Sequence, residues 1–215
     1  MITKKTLYPK TQRLGKEKVY IEITEKLDGS NLGIGKLDGE LFVATRNNIF
    51  KAKDYNDPQV KQIMYKGLHP WLEANAAELE NSLHEGSIIF GEWIAMGRIA
   101  YPDEMKHNFY MFSKANITSF EEEVTNLYYK RELLAYPFVD QVIPECIRLV
   151  PQLEIDFEYQ GNPRELTIEE MDAIYDRYLE KVGRPVEGFV MNVNNNIKKY
   201  VRNKGGKIEP HKVHY

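Results

Sequence analysis

Two alternating runs, Leu32 to Leu37 and Leu41 to Thr45, flank Asp38-Gly39, and this pattern most tightly limits the folds open to the chain. Alternation with period two marks a half-buried strand, and Asp-Gly is favoured in two-residue hairpins because both residues tolerate positive φ. Val19 to Thr24 alternates in the same way, and Ser87 to Ile94 and Asn108 to Ser113 read as buried strands, so the strand pattern recurs along the chain. It returns from Gly188 to Val193 and Ile197 to Arg202, joined by Asn194-Asn195-Asn196. Helical spacing appears in three stretches. From Asp57-Pro58 to about Leu83, residues Val60, Ile63, Met64, Leu68, Trp71 and Leu72 recur at three- and four-residue intervals, with Pro70 expected to kink or divide the helix. A second helix is expected from about Phe120 to Ala135. A third runs from Thr167 to Val182, with Thr167 as N-cap, Glu170 completing a capping box and Gly183 as terminator. Strands and helices do not alternate regularly, so the expected class is α+β with antiparallel sheets and flanking helices, not a doubly wound parallel sheet.

With 215 residues, no internal repeats and no Gly/Ser linker, a single domain spanning 1–215 is expected, with no separate C-terminal domain. The 42% hydrophobic and 28% charged composition excludes a disordered chain, a collagen-like repeat and a coiled-coil rod. No apolar run approaches the ~18 residues that span a bilayer. The N-terminus lacks a secretory signal and Cys146 has no partner for a disulfide, so a cytoplasmic protein is expected. His69, His84, His107, His211 and His214 show no metal-ligand spacing, and His211 with His214 reads as incidental tail sequence.

Charge is segregated. Residues 1–20 carry six Lys/Arg against Glu17, and residues 197–215 carry six against Glu209. With −3 overall and +5 at each end, the middle holds −13. A polyanion would meet a local basic surface built from the termini.

The chemistry-bearing residues form an ordered series: Glu25-Lys26-Leu27-Asp28-Gly29-Ser30-Asn31, Thr45-Arg46-Asn47, Phe90-Gly91-Glu92-Trp93, Phe109-Tyr110-Met111-Phe112, Val186-Glu187-Gly188 and Ile197-Lys198-Lys199-Tyr200-Val201-Arg202. Any one of these is weak. Lys-x-Asp-Gly alone also fits a surface hairpin. As a series from about residue 20 to 203, they resemble the covalent nucleotidyltransferases, which comprise ATP-dependent DNA ligases, RNA ligases and mRNA capping enzymes. The resemblance implies that family's antiparallel-sheet, ATP-grasp-like ligase domain. Lys26 matches the family's nucleophilic lysine and Arg46 the arginine after it. Glu92, Phe112, Glu187 and the Lys198-Lys199 pair match the later motifs in order. DNA ligases and capping enzymes usually place an arginine two residues after the motif glycine; here that residue is Asn31, and the Gly-Ser-Asn ending is similar to RNA ligases.

The implied chemistry is attack by the Lys26 amine on the α-phosphate of ATP, giving a lysine–AMP phosphoramidate. An ammonium has no lone pair, so Lys26 must be neutral to react; nearby cations such as Lys198, Lys199 and bound Mg²⁺ (or Mn²⁺), with partial burial, favour that form. The same cations would stabilise charge on the phosphate oxygens. The resemblance assigns Glu187 to the metal and Glu92 to a ribose hydroxyl. It places adenine on the Phe112 ring, Arg46 on phosphate or ribose, and Asp28, Gly29 and Asn31 beside the nucleotide. Phe109 reads as core. Strand alternation separates Lys198 from Lys199; which of them meets the phosphate is open, with Lys199 preferred. The implied activity is RNA ligation through adenylylated RNA ends. The alternatives are a DNA or nick-sealing ligase and a non-catalytic nucleotide- or RNA-binding module. Only 13 residues follow Arg202, so no room is expected for the extra C-terminal domain of many ligases.

Overall fold

The computed structural model describes residues 12–13, 18–19, 22–46, 49–52, 65–95, 97–119, 125–129, 138–153, 164–165, 167–193 and 196–212. Among the described residues it is mixed α and β, with mostly antiparallel sheets and two α-helices. The described residues fall into two compact units, one from 29–95 and 105–149, the other from 12–28, 97–104 and 150–212.

The second unit holds a four-stranded sheet. In chain order its strands are β1 (Gln12–Arg13), β3 (Glu22–Lys26), β12 (Gly188–Val193) and β13 (Asn196–Val201), and in space the order is β1-β13-β12-β3. Short β2 (Lys18–Val19) pairs with β11 (Arg164–Glu165) rather than in this sheet; of the expected Val19–Thr24 strand, residues 20 and 21 lie outside the described residues. Helix α2 (Ile168–Val182) covers one sheet face, where Met171, Ile174 and Tyr175 meet Ile23, Phe189, Met191 and Tyr200. Its start follows the sequence closely. Thr167 accepts from the Glu170 N–H, Glu170 accepts from the Thr167 N–H, and Gly183 ends the helix at φ 61°. After β13 comes a small hairpin of β14 (Asn203–Lys204) and β15 (Lys207–Ile208). His211 is not incidental: it is buried, its Nδ1 accepts the Val201 N–H at 3.1 Å, and its ring stacks on Tyr200. His214 lies outside the described residues.

The first unit is built on the larger sheet: β4 (Ser30–Leu37), β5 (Glu40–Ala44), β6 (Ile49–Lys51), β7 (Ser87–Ile94), β8 (Asn108–Asn116), β9 (Thr125–Tyr129) and β10 (Ile147–Leu149). The path runs β10-β8-β7-β4-β5-β6, with β9 also on β8. Asp38 and Gly39 turn β4 into β5 at φ 55° and 75°, the two positive values that such a turn requires. Helix α1 (Leu68–Ser82) packs Leu68, Leu72 and Leu79 with Leu32, Ile34, Ile89, Trp93, Phe109 and Met111. Pro70 neither kinks nor divides it. Proline sits in the first turn, where its missing N–H has no helical partner to lose. Val60, Ile63 and Met64 lie outside the described residues.

The expected helix from Phe120 to Ala135 is corrected in part. Thr125–Tyr129 is strand β9, pairing Tyr128 with Lys114 and Tyr129 with Ser113. Its two adjacent tyrosines suit a pleated edge, and the open side of β8 supplies the ladder.

Candidate functional site

Lys26 is the last residue of β3, and its register explains its surroundings. It sits opposite Gly188, which sits opposite Val201. Two residues back along the strands, Thr24, Val190 and Lys199 are likewise in line. Lys199 therefore shares the face of Lys26. Lys198 is aligned with Met191 and Ile23, on the face packed against α2, and is buried. Gly188 has no room for a side chain, since a Cβ there would collide with the Tyr200 carbonyl oxygen.

The Lys26 ammonium donates to Glu187 Oε2 at 2.6 Å. Burial pushes the Glu187 carboxyl upward, opposed by the attraction and hydrogen bond of Lys26; Asp28 pushes it further up and Lys199 pulls it down. Thus Lys26, Asp28, Glu187 and Lys199 are within electrostatic reach of one another. The Glu187 carbonyl accepts the N–H groups of both Arg202 and Asn203 at 3.0 Å.

Asp28 holds a loop. Its Oδ2 accepts the N–H of Arg98 at 2.6 Å and of Ile99 at 2.8 Å, while its own N–H donates to the Tyr101 hydroxyl at 2.9 Å. Gly97 allows this approach, because a Cβ would strike the Asp28 carbonyl. Tyr101 is buried, which raises its hydroxyl well above the ordinary range, and the Arg184 guanidinium lies 5.8 Å from its ring centre.

Behind Lys26 lies a group two of whose members, Arg184 and Tyr178, are outside the motif series. Glu25, on the α2 face, is buried and gripped bidentately by Arg184, at 2.6 Å to Oε1 and 2.7 Å to Oε2. Tyr178 donates to Oε2 at 2.8 Å. Burial and Glu25 together raise the Tyr178 hydroxyl. The one sequence signal for this network is an acid at the inward-facing position between Ile23 and Leu27. Arg202 pairs with Asp172 at 2.5 Å, and Tyr200 also bonds that carboxylate, so the far end of β13 is tied to α2.

In the first unit, Asn31 and Glu92 are register partners and share a face. Glu92 Oε1 accepts the Gly29 N–H at 3.1 Å, and a Cβ on Gly29 would stand 2.5 Å from the Trp93 carbonyl oxygen. Phe112 is the extra residue of a bulge, because Gly91 pairs with Met111 while Phe90 pairs with Ser113. Half-buried, it packs with the cluster of Phe42, Ile88 and Phe90, the face that Phe90 shares with Glu92. Phe109 is fully buried core against Trp71 and Trp93. Arg46 is exposed just after β5. Among the described residues no cluster of three His, Cys, Asp or Glu side chains is arranged to hold a metal.

The mostly antiparallel sheets with two described α-helices form an α+β fold that matches the nucleotidyltransferase fold of RNA ligases. The chain belongs to the RNA ligase family, whose model matches residues 19–212. No curated protein matches it. Among solved structures it is similar to a variant of the Naegleria gruberi RNA ligase with ATP and Mn. The TM-score is 0.53 at 15% identity, covering 86% of this chain and 50% of that one. Another variant of that ligase, with AMP and Mn, gives 0.53 at 16% identity, covering 93% and 60%. An archaeal ATP-dependent RNA ligase gives 0.50 at 19% identity, covering 90% and 48%. The chain spans about half the length of these ligases, and at such identities the likeness is one of fold. No described helix is long and apolar enough to cross a membrane.

Proposed function

We propose that this chain is an ATP-dependent RNA ligase that joins 5′-phosphate and 3′-hydroxyl ends, acting in RNA repair as a nucleotidyltransferase domain. The observation that carries this reading is Lys26 at the end of its strand, bonded to Glu187 at 2.6 Å, with Lys199 on the same sheet face. The solved relatives hold ATP or AMP with Mn, which supports ATP as the AMP donor and Mg²⁺ or Mn²⁺ as the cation. In the first step the Lys26 amine, having lost its proton, forms a bond to the α-phosphorus as the bond to pyrophosphate breaks. A 5′-phosphate oxygen of RNA next displaces Lys26, giving an adenylylated end. The 3′-hydroxyl then attacks that phosphate and AMP leaves.

Glu187 is the residue to hold the divalent cation. The fit rests on donor chemistry, because Mg²⁺ takes one or two carboxylates and fills its remaining positions with phosphate oxygens and water. When bound, the cation supplies positive charge at the phosphates. Lys199 supplies a further fixed charge, while Asp28 and the Glu25–Arg184 pair hold the strand end in place. Glu92 is proposed for the ribose hydroxyl, Phe112 for the adenine face and Arg46 for phosphate or ribose, with Gly29 and Asn31 at the nucleotide.

The test is incubation with α-labelled ATP and Mg²⁺ followed by denaturing electrophoresis. Wild type should show a labelled band near 25 kDa that Lys26→Ala and metal chelation both abolish. Absence of label on wild type would refute the reading. Faster sealing of all-DNA nicks than of RNA ends would assign the activity to DNA instead.

A further inference from the structure

The second unit carries a basic patch outside the motif series. The β14–β15 hairpin turns through Gly205-Gly206, at φ 62° and 87°, with Lys204 and Lys207 as register partners beside the turn. Arg98, from the loop after Gly97, lays its stem against the same turn: a Cβ on Gly205 would stand 3.4 Å from Arg98 Cδ. Arg98 and Lys207 are exposed and Lys204 is half-exposed. None of the three forms an ion pair among the described residues. The Asp28 carboxylate is taken up by the N–H groups of Arg98 and Ile99, and the acids close to the patch in sequence have other contacts. Glu209 is 3.9 Å from Lys212, and Asp103 and Glu104, further along the Arg98 loop, have interactions of their own.

Both arms of the patch are anchored by residues that surround Lys26. The hairpin leaves β13 where the Glu187 carbonyl holds the N–H groups of Arg202 and Asn203, and the Glu187 carboxylate holds Lys26. Arg98 is fixed through its own N–H to Asp28, two residues after Lys26. Three unneutralised cations on rigidly rooted backbone repel one another, and the arrangement is favourable when an anion bridges them. Their separate mounting on a hairpin and a loop suits a strand with repeated charges better than one compact group.

Resting on the ligase reading above, we propose that Arg98, Lys204 and Lys207 bind the phosphates of the RNA strand whose end is presented to Lys26. Contacts of this kind position a strand without reading its sequence.

The test uses the full chain with Arg98, Lys204 and Lys207 all changed to alanine, beside a charge-keeping control (R98K, K204R, K207R). Binding of a fluorescent single-stranded RNA is measured by anisotropy from 50 to 200 mM salt, and self-labelling with ATP is measured in parallel. The alanine variant should bind RNA at least ~10-fold more weakly at low salt. The slope of log affinity against log salt should be shallower by about 2, from ~0.7 per lost contact. The control should keep both, and self-labelling should stay within about twofold of wild type. Unchanged affinity and slope would overturn the proposal, as would loss of self-labelling with RNA binding intact, which would assign the patch to the ATP phosphates. Failure of wild type to label sinks the ligase reading and leaves the anisotropy result to judge the patch alone.

Discussion

Replacing Arg184 by methionine should destabilise the protein by about 3–5 kcal/mol, the usual cost of stranding one partner of a buried ion pair. The structure places the loss at the upper part of what one side chain can cause. The Glu25 side chain is 0% exposed, and both of its oxygens accept from Arg184, at 2.6 and 2.7 Å. Methionine fills a similar volume but removes both charge-assisted bonds, leaving the carboxylate with the Tyr178 hydroxyl alone. For a chain of this size, ~2–4 °C per kcal/mol converts the loss into a fall of roughly 6–20 °C in Tm. The assay is calorimetry or urea unfolding of R184M, E25L and the double variant. The double variant should recover most of the loss, because the pair has been exchanged for apolar packing rather than broken. Glu25 immediately precedes Lys26, so R184M should also slow self-labelling at temperatures where it remains folded. A destabilisation under ~1 kcal/mol, or a double variant no better than R184M, would refute the reasoning.

Gly188→Ala should cost at least about 2 kcal/mol by overpacking, because the new methyl would strike the Tyr200 carbonyl; a wild-type Tm would refute it. Tyr65 donates to the Asn31 carbonyl, and its hydroxyl is pushed up to about 12, first by burial and then by the charge of Glu92. A raised acid keeps its proton in the folded state while the unfolded chain releases it. The stability present below pH 10 is therefore lost as pH rises from about 10 to 12, by roughly 2–3 kcal/mol from this group. Tyr65→Phe should flatten urea-unfolding stability against pH across that window, and curves parallel to wild type would contradict it.

Much of the architecture is visible in local patterns. The Asp38-Gly39 hairpin, the Thr167–Glu170 capping box with Gly183, and strands such as Ser87–Ile94 depend on residues within a few positions of one another. Strand alternation likewise separated Lys198 from Lys199, and the register puts Lys199 on the face of Lys26. What stayed hidden depends on partners far along the chain. Arg184 reaches Glu25 across 159 positions, and Asp28 takes N–H groups 70 and 71 residues away. Two parallel pairings, β1 with β13 and β10 with β8, have no turn to announce them. Residues 125–129 read as helix because edge pairing with β8, not local spacing, decides their state. Phe112 was legible as an aromatic, but not as a bulge, since the extra residue exists only relative to β7.

The placement of β3 bears on the order in which the molecule is made. Its ladder partner, β12, lies about 160 residues later in the chain, and β12 is in turn flanked by β13. During synthesis the strand carrying Lys26 waits with an open edge until the ~160 residues up to β12 have been translated. Such non-local pairing carries a high loop-closure cost and folds slowly. A nascent chain stopped before residue 188 would contain Lys26 without the strand that aligns it, so the surroundings of Lys26 are completed only once β12 has been made.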